Sequence, residues 1–410
     1  MDYSISRKIT VNPLINKNFD QNIPLVKEGI NESDMEKKKT LDYLFITWGK
    51  PFSSSSGAVN KQIYYIANSL ARDGATVGIL YMSYSYISNL YGFSKKNSRM
   101  DIFKGIAGRI LYSKMLGKIY LNRMRRHSEV LIDDRILFFL SNYKLPALKI
   151  KRLVTSYWWG VLVPDKRNMV ENIYFLLYHD YSVDIQNSNP ENLKYLSKAY
   201  SISRKIAVNP LINKNFDQNI PLVKEGINLD EYKSSIDFDS KDKLLMLVPL
   251  RLNPAKGAKY AIDALKLIHN KYPDISISAF GDYNLPLPEY IQFHYNINQK
   301  SLKKLYGDAT FFILPSIEEG IPEPLIEAMA SGCVTISTAC GGPETVIVHG
   351  QNGFLVPIKN PEKIFWQFAI LMEERIDLKR ISESAKATAM EYDINKTYTE
   401  FLDAIKFYES

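Results

Sequence analysis

The sequence predicts an α/β protein made of two doubly wound halves. Three observations carry that prediction. The chain has 410 residues, more than one ordinary core accommodates, so two domains are the natural division. Apolar runs of strand length alternate with helical periodicity in two separate series. Between the series lies the polar stretch "DEYKSSIDFDSKDK", which reads as a linker.

The first series starts at Asp42. "YLFITW" is a short apolar strand, "KPFSSSSGAVN" a Ser/Gly loop, and "KQIYYIANSLARDG" a helix with apolar residues at 3–4 spacing and a glycine stop. "ATVGILYM" returns to strand, which completes a βαβ unit. The rhythm continues through "RLVTSYWW", "NIYFLLYHDY", "KIAVNPLI" and "IPLVKEGI".

In the second series, strand "LLMLVPL" leads through "RLNPAKG" into the helix "AKYAIDALKLIHNKY". "DISISAFGD" is a strand, "SLKKLYGDA" a short helix and "TFFILPS" another strand. "EEGIPEPLIEAMASG" then opens a helix, and "CVTIST" is strand again. Two such halves predict a central cleft, with ligands outside the carboxyl ends of the strands.

Bulk properties narrow the class. Hydrophobic residues at 46% and charged residues at 23% describe a globular chain. No apolar run approaches the roughly 18 residues that cross a bilayer, and the N-terminus lacks a signal pattern. The expectation is a cytoplasmic protein. Cys333 and Cys340 supply no disulfide framework and match no zinc spacing, so two small thiols in a reducing compartment is the plain reading. A net charge of +8 favours an anionic partner without choosing among phosphorylated ligands, nucleic acid and lipid.

Residues 3–31 recur at 200–228 with one change, Thr10 becoming Ala207. Repeat architectures tile a chain and diverge, whereas these copies are nearly identical and far apart. The second copy is flanked by ordered-looking sequence and takes the native slot. The first runs into "NESDMEKKKT" and reads as a loosely packed appendage, the alternative being a regulatory arm that competes for its twin's place. The predicted division is 1–40 appendage, 41–230 N-terminal domain, 231–243 linker, 244–395 C-terminal domain, and a helix at 396–410 able to return to the first domain.

Two clusters could carry chemistry. Arg251 and Lys256 lie five apart on the loop after a strand, with Gly257 at the mouth of the next helix. An Arg fork and a Lys point charge beside a helix N-terminus suit a diphosphate, although a solvated surface pair is the commoner outcome. Glu319 and Glu327 lie eight apart, the first in a turn and the second inside a helix. Carboxylates accept hydrogen bonds from the paired hydroxyls of a sugar or ribose. The plainer alternative is acids favouring a helix N-terminus, as Glu318 and Glu323 would.

Taken together, "R…PAKG" and "LPSIEEGIPEPLIEAMASGCVTISTACGGPETVIVHGQNGFLVP" resemble the C-terminal domain of the family 4 glycosyltransferases, which have the GT-B fold. The similarity extends back to "LFITWGKPFSSSSGAVNKQIYYIANSLARDGATV" and covers roughly residues 41–400, most specifically in the C-terminal half. It implies two Rossmann-like domains and transfer of a hexose-type sugar from a nucleotide-diphosphate donor, with retention at the anomeric carbon. By position, it implies that Arg251 and Lys256 neutralise the diphosphate without a metal or other cofactor. Glu319 would meet the sugar hydroxyls and Glu327 the ribose hydroxyls. The amides of Gly320 and Ile321 would face the donor, and Gly57 would let backbone approach the phosphates.

His179 and Asp180 stand where related sequences carry Gln-Asp, which makes them acceptor-side candidates. The implied acceptor is a glycan or lipid-linked sugar in surface polysaccharide synthesis. The chain departs from the family pattern at Ile321 and Pro322, in place of Phe-Gly, and at Glu323, in place of an apolar residue. Proline offers no N–H, and another acid opposes a diphosphate. These departures support an alternative reading, a non-catalytic GT-B subunit that binds a nucleotide sugar or a partner.

Asp237 to Asp239 match Asp-x-Asp, but lie in the polar linker and read as solvated loop, as does Asp133-Asp134. Residues 94–128 hold ten Lys/Arg and one acid, with apolar positions at helical spacing. They read as a peripheral contact with the inner face of an anionic membrane, or as a helix packed on the sheet. No nucleic-acid module accompanies the charge.

Overall fold

A computed structural model describes residues 25–26, 40–48, 58–82, 133, 135–141, 149–162, 169–178, 190–213, 220–232 and 238–410. Gly57, His179, Asp180, the basic stretch 94–128 and most of residues 1–40 lie outside the described residues.

The chain divides into two compact units. The first holds residues up to Val208, Ile212–Val223 and Glu400–Ser410; the second holds Asn209–Leu211 and Lys224–Thr399. The first unit carries a seven-stranded sheet of β1 (Leu25–Val26), β2 (Thr40–Trp48), β3 (Val77–Met82), β4 (Leu137–Ser141), β5 (Lys149–Thr155), β6 (Met169–Leu177) and β7 (Arg204–Ala207). Its order is β1-β4-β3-β2-β5-β6-β7, parallel throughout except for β1, which pairs antiparallel with β4. Central strand β2 buries Leu41, Leu44, Phe45 and Ile46 completely, as a strand covered on both faces must. Helix α1 (Ala58–Arg72) turns Ile63, Ile66, Ala67 and Leu70 to the core, and the chain leaves it through Gly74 at φ +91°.

Helix α2 (Pro190–Ile202) precedes edge strand β7. The single difference between the duplicated segments falls at Ala207, fully buried in β7, where the threonine of the first copy would have to bury a hydroxyl. Leu25–Val26 of the first copy lie instead against β4, Leu25 opposite Phe139. The strand expected over "IPLVKEGI" is absent. Two isolated bridges take its place, Leu222 to Ala207 and Ile227 to Asp393.

The second unit carries a six-stranded parallel sheet of β8 (Asp242–Leu250), β9 (Ser276–Gly281), β10 (Ile291–Tyr295), β11 (Ala309–Leu314), β12 (Val334–Thr338) and β13 (Phe354–Val356), ordered β10-β9-β8-β11-β12-β13. Around it lie α3 (Ala258–Lys271), α4 (Gln299–Asp308), α5 (Glu323–Ala330), α6 (Pro361–Glu373) and α7 (Leu378–Ala389). Helix α3 shows why the register holds: Ala258, Ala261, Ala264, Leu265 and Ile268 make one buried stripe. The sequence reading did not specify β4, β10 or β13.

The described residues of the polar stretch read as a linker pack into this second unit, whose long segment runs from Lys224 to Thr399. Tyr232, Phe238 and Lys241 are buried, and Lys241 Nζ donates to the carbonyls of Gly307 and Ala309 at 2.8 Å, closing the end of α4. Helix α8 (Ile394–Glu409) starts in the second unit and finishes in the first. In the first unit Phe401 packs on Tyr43 and Phe45, and Arg152 donates to both oxygens of Glu409 at 2.7 Å.

Candidate active site

Three loops of the second unit converge at the carboxyl ends of adjacent strands β8, β11 and β12. After β8, Asn253 accepts the Ala255 N–H and shapes a turn over Pro254–Lys256. Gly257 closes it at φ +68°, and a Cβ there would stand 1.9 Å from the Pro315 carbonyl. Only glycine permits both the backbone angle and that approach. The Ile317 N–H donates to the Ala255 carbonyl at 2.7 Å, which ties the first loop to the second. The third loop joins through Glu319 N–H to Cys340 O and Gly342 N–H to Glu319 O. A Cβ on Gly342 would fall 1.5 Å from the Gly320 carbonyl, so a side chain there would force these loops apart.

This convergence places Lys256 Nζ 2.7 Å from Glu319 Oε2, while the Ser316 hydroxyl donates to Oε1 at 2.7 Å. Both carboxylate oxygens are held, and the Glu319 side chain is 10% exposed against 36% for Lys256. Ile321 is buried in the core and pins the turn from below. The N–H groups of Gly320 and Ile321 have no protein acceptor among the described residues. Pro322 then caps α5, with Glu323 in its first turn. Arg251 shares the β8 loop with Lys256 but stays exposed, passes beside Gly281, and makes no ion pair among the described residues.

Glu327 occupies different surroundings from Glu319. It is 5% exposed and accepts hydrogen bonds from the hydroxyls of Tyr232 and Tyr306, the latter at 3.0 Å. Burial and the adjacent carboxylate push both phenols well above their ordinary range. The pair expected from spacing, Glu319 with Glu327, is therefore one acid at the loop junction and one in the core.

The sequence reading missed two residues at this junction. Asn209 accepts the Leu211 N–H, and its Nδ2 lies 3.4 Å from where a Cβ on Gly320 would stand. Glu225 is partly buried, and its carboxyl is pushed up to about 8, chiefly by burial and then by Glu323 and Glu319. Neither lies in a motif; both belong to the second copy of the duplicated segment, 94 or more positions from Glu319. Other acids have local partners. Asp133 is bound by Arg135, whose hydrogen bonds bring its carboxyl down to about 2, and Asp239 pairs with Lys379 at 2.6 Å. Among the described residues no group of His, Cys, Asp or Glu is arranged to hold a metal ion, and no helix is long and apolar enough to cross a membrane. Cys333 is buried and Cys340 half-buried.

Comparisons with known proteins follow the same outline. Residues 230–388 match the family described as glycosyl transferases group 1. An uncharacterized glycosyltransferase of Methanocaldococcus jannaschii is 31% identical over 172 residues, 40% of this chain and 43% of that protein. An N,N'-diacetylbacillosaminyl-diphospho-undecaprenol alpha-1,3-N-acetylgalactosaminyltransferase of Campylobacter jejuni is 23% identical, covering 56% of this chain and 60% of its own. The chain thus spans about half the length of these curated relatives. Among solved structures, Anabaena HepE in complex with UDP superposes with a TM-score of 0.62 at 14% identity, over 89% of this chain and 100% of that one. The fold is that of the GT-B glycosyltransferases, two Rossmann-like parallel-sheet domains.

Proposed function

We propose that the chain is a family 4 retaining glycosyltransferase that moves a hexose-type sugar from a nucleotide-diphosphate donor to a glycan or lipid-linked acceptor in surface polysaccharide synthesis. The observation that carries this reading is the contact between Lys256 and Glu319 across two loops, beside the unpartnered amides of Gly320 and Ile321. A cation and free N–H groups suit a diphosphate, and an acid held in place suits sugar hydroxyls. The group 1 match covers all of these residues.

In the proposed reaction Lys256 and Arg251 neutralise the charge that grows on the departing diphosphate, so no metal is required of the protein. Glu319 orients the sugar. The acceptor oxygen forms its bond to the anomeric carbon on the face the nucleotide leaves, and its proton passes to a phosphate oxygen of the leaving group. Glu327 holds two tyrosine hydroxyls and, with about four lone-pair positions, keeps capacity for a ribose hydroxyl. His179 and Asp180 remain proposed acceptor residues, Gly57 a proposed phosphate contact, and residues 94–128 a proposed peripheral contact with anionic lipid.

Release of nucleoside diphosphate from a panel of nucleotide sugars tests the proposal. The expected result is release by the wild type that disappears in Glu319→Ala. The second reading, a non-catalytic nucleotide-sugar-binding subunit, draws on the missing N–H at Pro322 and the added charge of Glu323. A melting temperature raised by a nucleotide sugar without any turnover would favour it.

A further inference from the structure

Gly320 differs from the other glycines of the loop junction. Gly257 and Gly342 are required by close backbone approach, whereas Gly320 has no left-handed φ and a Cβ on it would meet no carbonyl of another loop. Apart from its chain neighbours, the one heavy atom of the described residues within 4 Å of that position is Asn209 Nδ2, at 3.4 Å. Asn209, Pro210 and Leu211 belong to the second unit, and Leu211 Cδ1 comes within 3.7 Å of where a Cβ on Gly341 would stand. The segment therefore borders the Glu319–Gly320 turn beside the β12 loop, while Lys256 reaches Glu319 from the β8 loop. The Asn209 side chain is oriented. Its residue is 7% exposed, and Oδ1 accepts the Leu211 N–H at 2.9 Å, which caps the short helical turn Pro210–Asn213. That cap uses the oxygen alone. Nδ2 has no acceptor among the described residues, and a buried N–H left unmet is unfavourable.

We propose that Asn209 is a further donor-site residue, whose Nδ2 donates to a hydroxyl oxygen of the transferred sugar in the space beside Gly320, while Glu319 accepts from the same hydroxyl. The assignment rests on the donor-site reading above and deepens it. A sugar hydroxyl has one proton and two lone pairs, so one donor and one acceptor match it and two acceptors do not. Ionised Glu319 can only accept, and the Asn209 amide supplies the missing N–H without adding charge near the diphosphate. Gly320 then lacks a side chain because the sugar takes its place. A capping role alone would need just the oxygen, which Asp and Ser provide as well as Asn. The two roles can therefore be separated by substitution.

The test is binding of UDP-glucose, UDP-N-acetylglucosamine and GDP-mannose against free UDP and GDP, by calorimetry at neutral pH, with melting temperatures alongside. Asn209→Ser keeps a cap for the Leu211 N–H but stops short of Gly320. It should melt like the wild type, bind the nucleotide sugar about tenfold more weakly, and bind the free diphosphate almost unchanged. Asn209→Asp keeps the cap in the same shape and puts two acceptors on one hydroxyl, so the loss should reach about ten- to hundredfold. Joining Asn209→Asp to Glu319→Gln restores one donor and one acceptor at unchanged net charge. That pair should bind the nucleotide sugar at least about threefold more tightly than Asn209→Asp alone. Wild-type affinity in a folded Asn209→Ser overturns the assignment, as does a loss shared equally by the free diphosphate. If Asn209→Ser does not fold, wild-type affinity in Asn209→Asp overturns it in the same way. A paired exchange that recovers nothing does so too. Absence of binding by the wild type to every nucleotide sugar and diphosphate overturns the donor-site reading along with it, and is distinguished by that.

Discussion

Lys256 Nζ stands 2.7 Å from Glu319 Oε2, although 63 positions separate the two residues in the chain. The contact joins the loop after β8 to the loop after β11, and those strands are neighbours in the sheet. Each partner would otherwise be a charge on a turn. Together they form the polar centre of the candidate site.

Glu319→Ala should lower turnover by about 10²–10³, the usual scale for removing one preorganised polar contact to the reacting groups. Lys256→Met should reduce turnover and donor affinity together. Circular dichroism melting should show both variants folded, since the Lys256 head is partly solvated.

Gly257→Ala should destabilise the chain by about 2–4 kcal/mol, because the new Cβ meets the Pro315 carbonyl in a left-handed backbone. Chemical denaturation measures the cost. Donor binding should fall as well, since relief of that clash moves Lys256 away from Glu319.

Tyr306→Phe should cost about 1–3 kcal/mol by removing one of two hydroxyls that satisfy the buried Glu327 carboxylate. Tyr232→Phe should behave alike, and the double variant should lose at least the sum, because the two hydroxyls serve different oxygens of one buried carboxylate and their joint removal leaves it without a donor. Denaturant midpoints of the three variants check this.

Glu409 anchors the last turn of α8. The Arg152 hydrogen bonds, more than the one from Tyr174, hold its carboxyl below the ordinary glutamate value. A lowered folded value means stabilisation that is complete above the unfolded pKa and fades as pH falls through the folded one. Glu409→Gln should therefore cost about 1 kcal/mol at pH 7 and almost nothing near pH 3, a modest figure for a partly solvated pair.

Glu225 predicts the opposite sign. Its folded value lies above the unfolded one, so in the window from the ordinary glutamate range up to about 8 the folded chain binds the extra proton and stability falls as pH rises. Glu225→Gln removes that penalty. Its melting temperature should exceed the wild type's by more at pH 8 than at pH 5, read in matched buffers without donor.

Much of the fold was legible because its signals are local. The alternation from "LLMLVPL" through "RLNPAKG" to the stripe of α3 is a change of period within thirty residues, and the structure reproduces it. The edge strand β10 was not read: only Ile291 of its five residues is buried, so it carries no continuous apolar run. The buried residues of the polar stretch were not read for a related reason. Tyr232, Phe238 and Lys241 are buried within a stretch of mostly polar residues, and a window average hides them.

The candidate site divides in the same way. Arg251, Lys256, Gly257, Glu319 and Glu327 stand out in the sequence by loop position and spacing, but those signals alone left a solvated surface as the commoner reading, and their roles came from the family resemblance. Nothing in chain order reveals that two tyrosines occupy Glu327, or that Glu225 sits among other acids. Those surroundings follow from the sheet order β8-β11-β12 and from the clamp of the 224–228 segment on α8, which bring distant backbone together. Backbone geometry answers to immediate neighbours, and the chain spells it out. The charge state and partners of a side chain answer to whatever the packing places within a few ångströms, so they exist only once the loops have met.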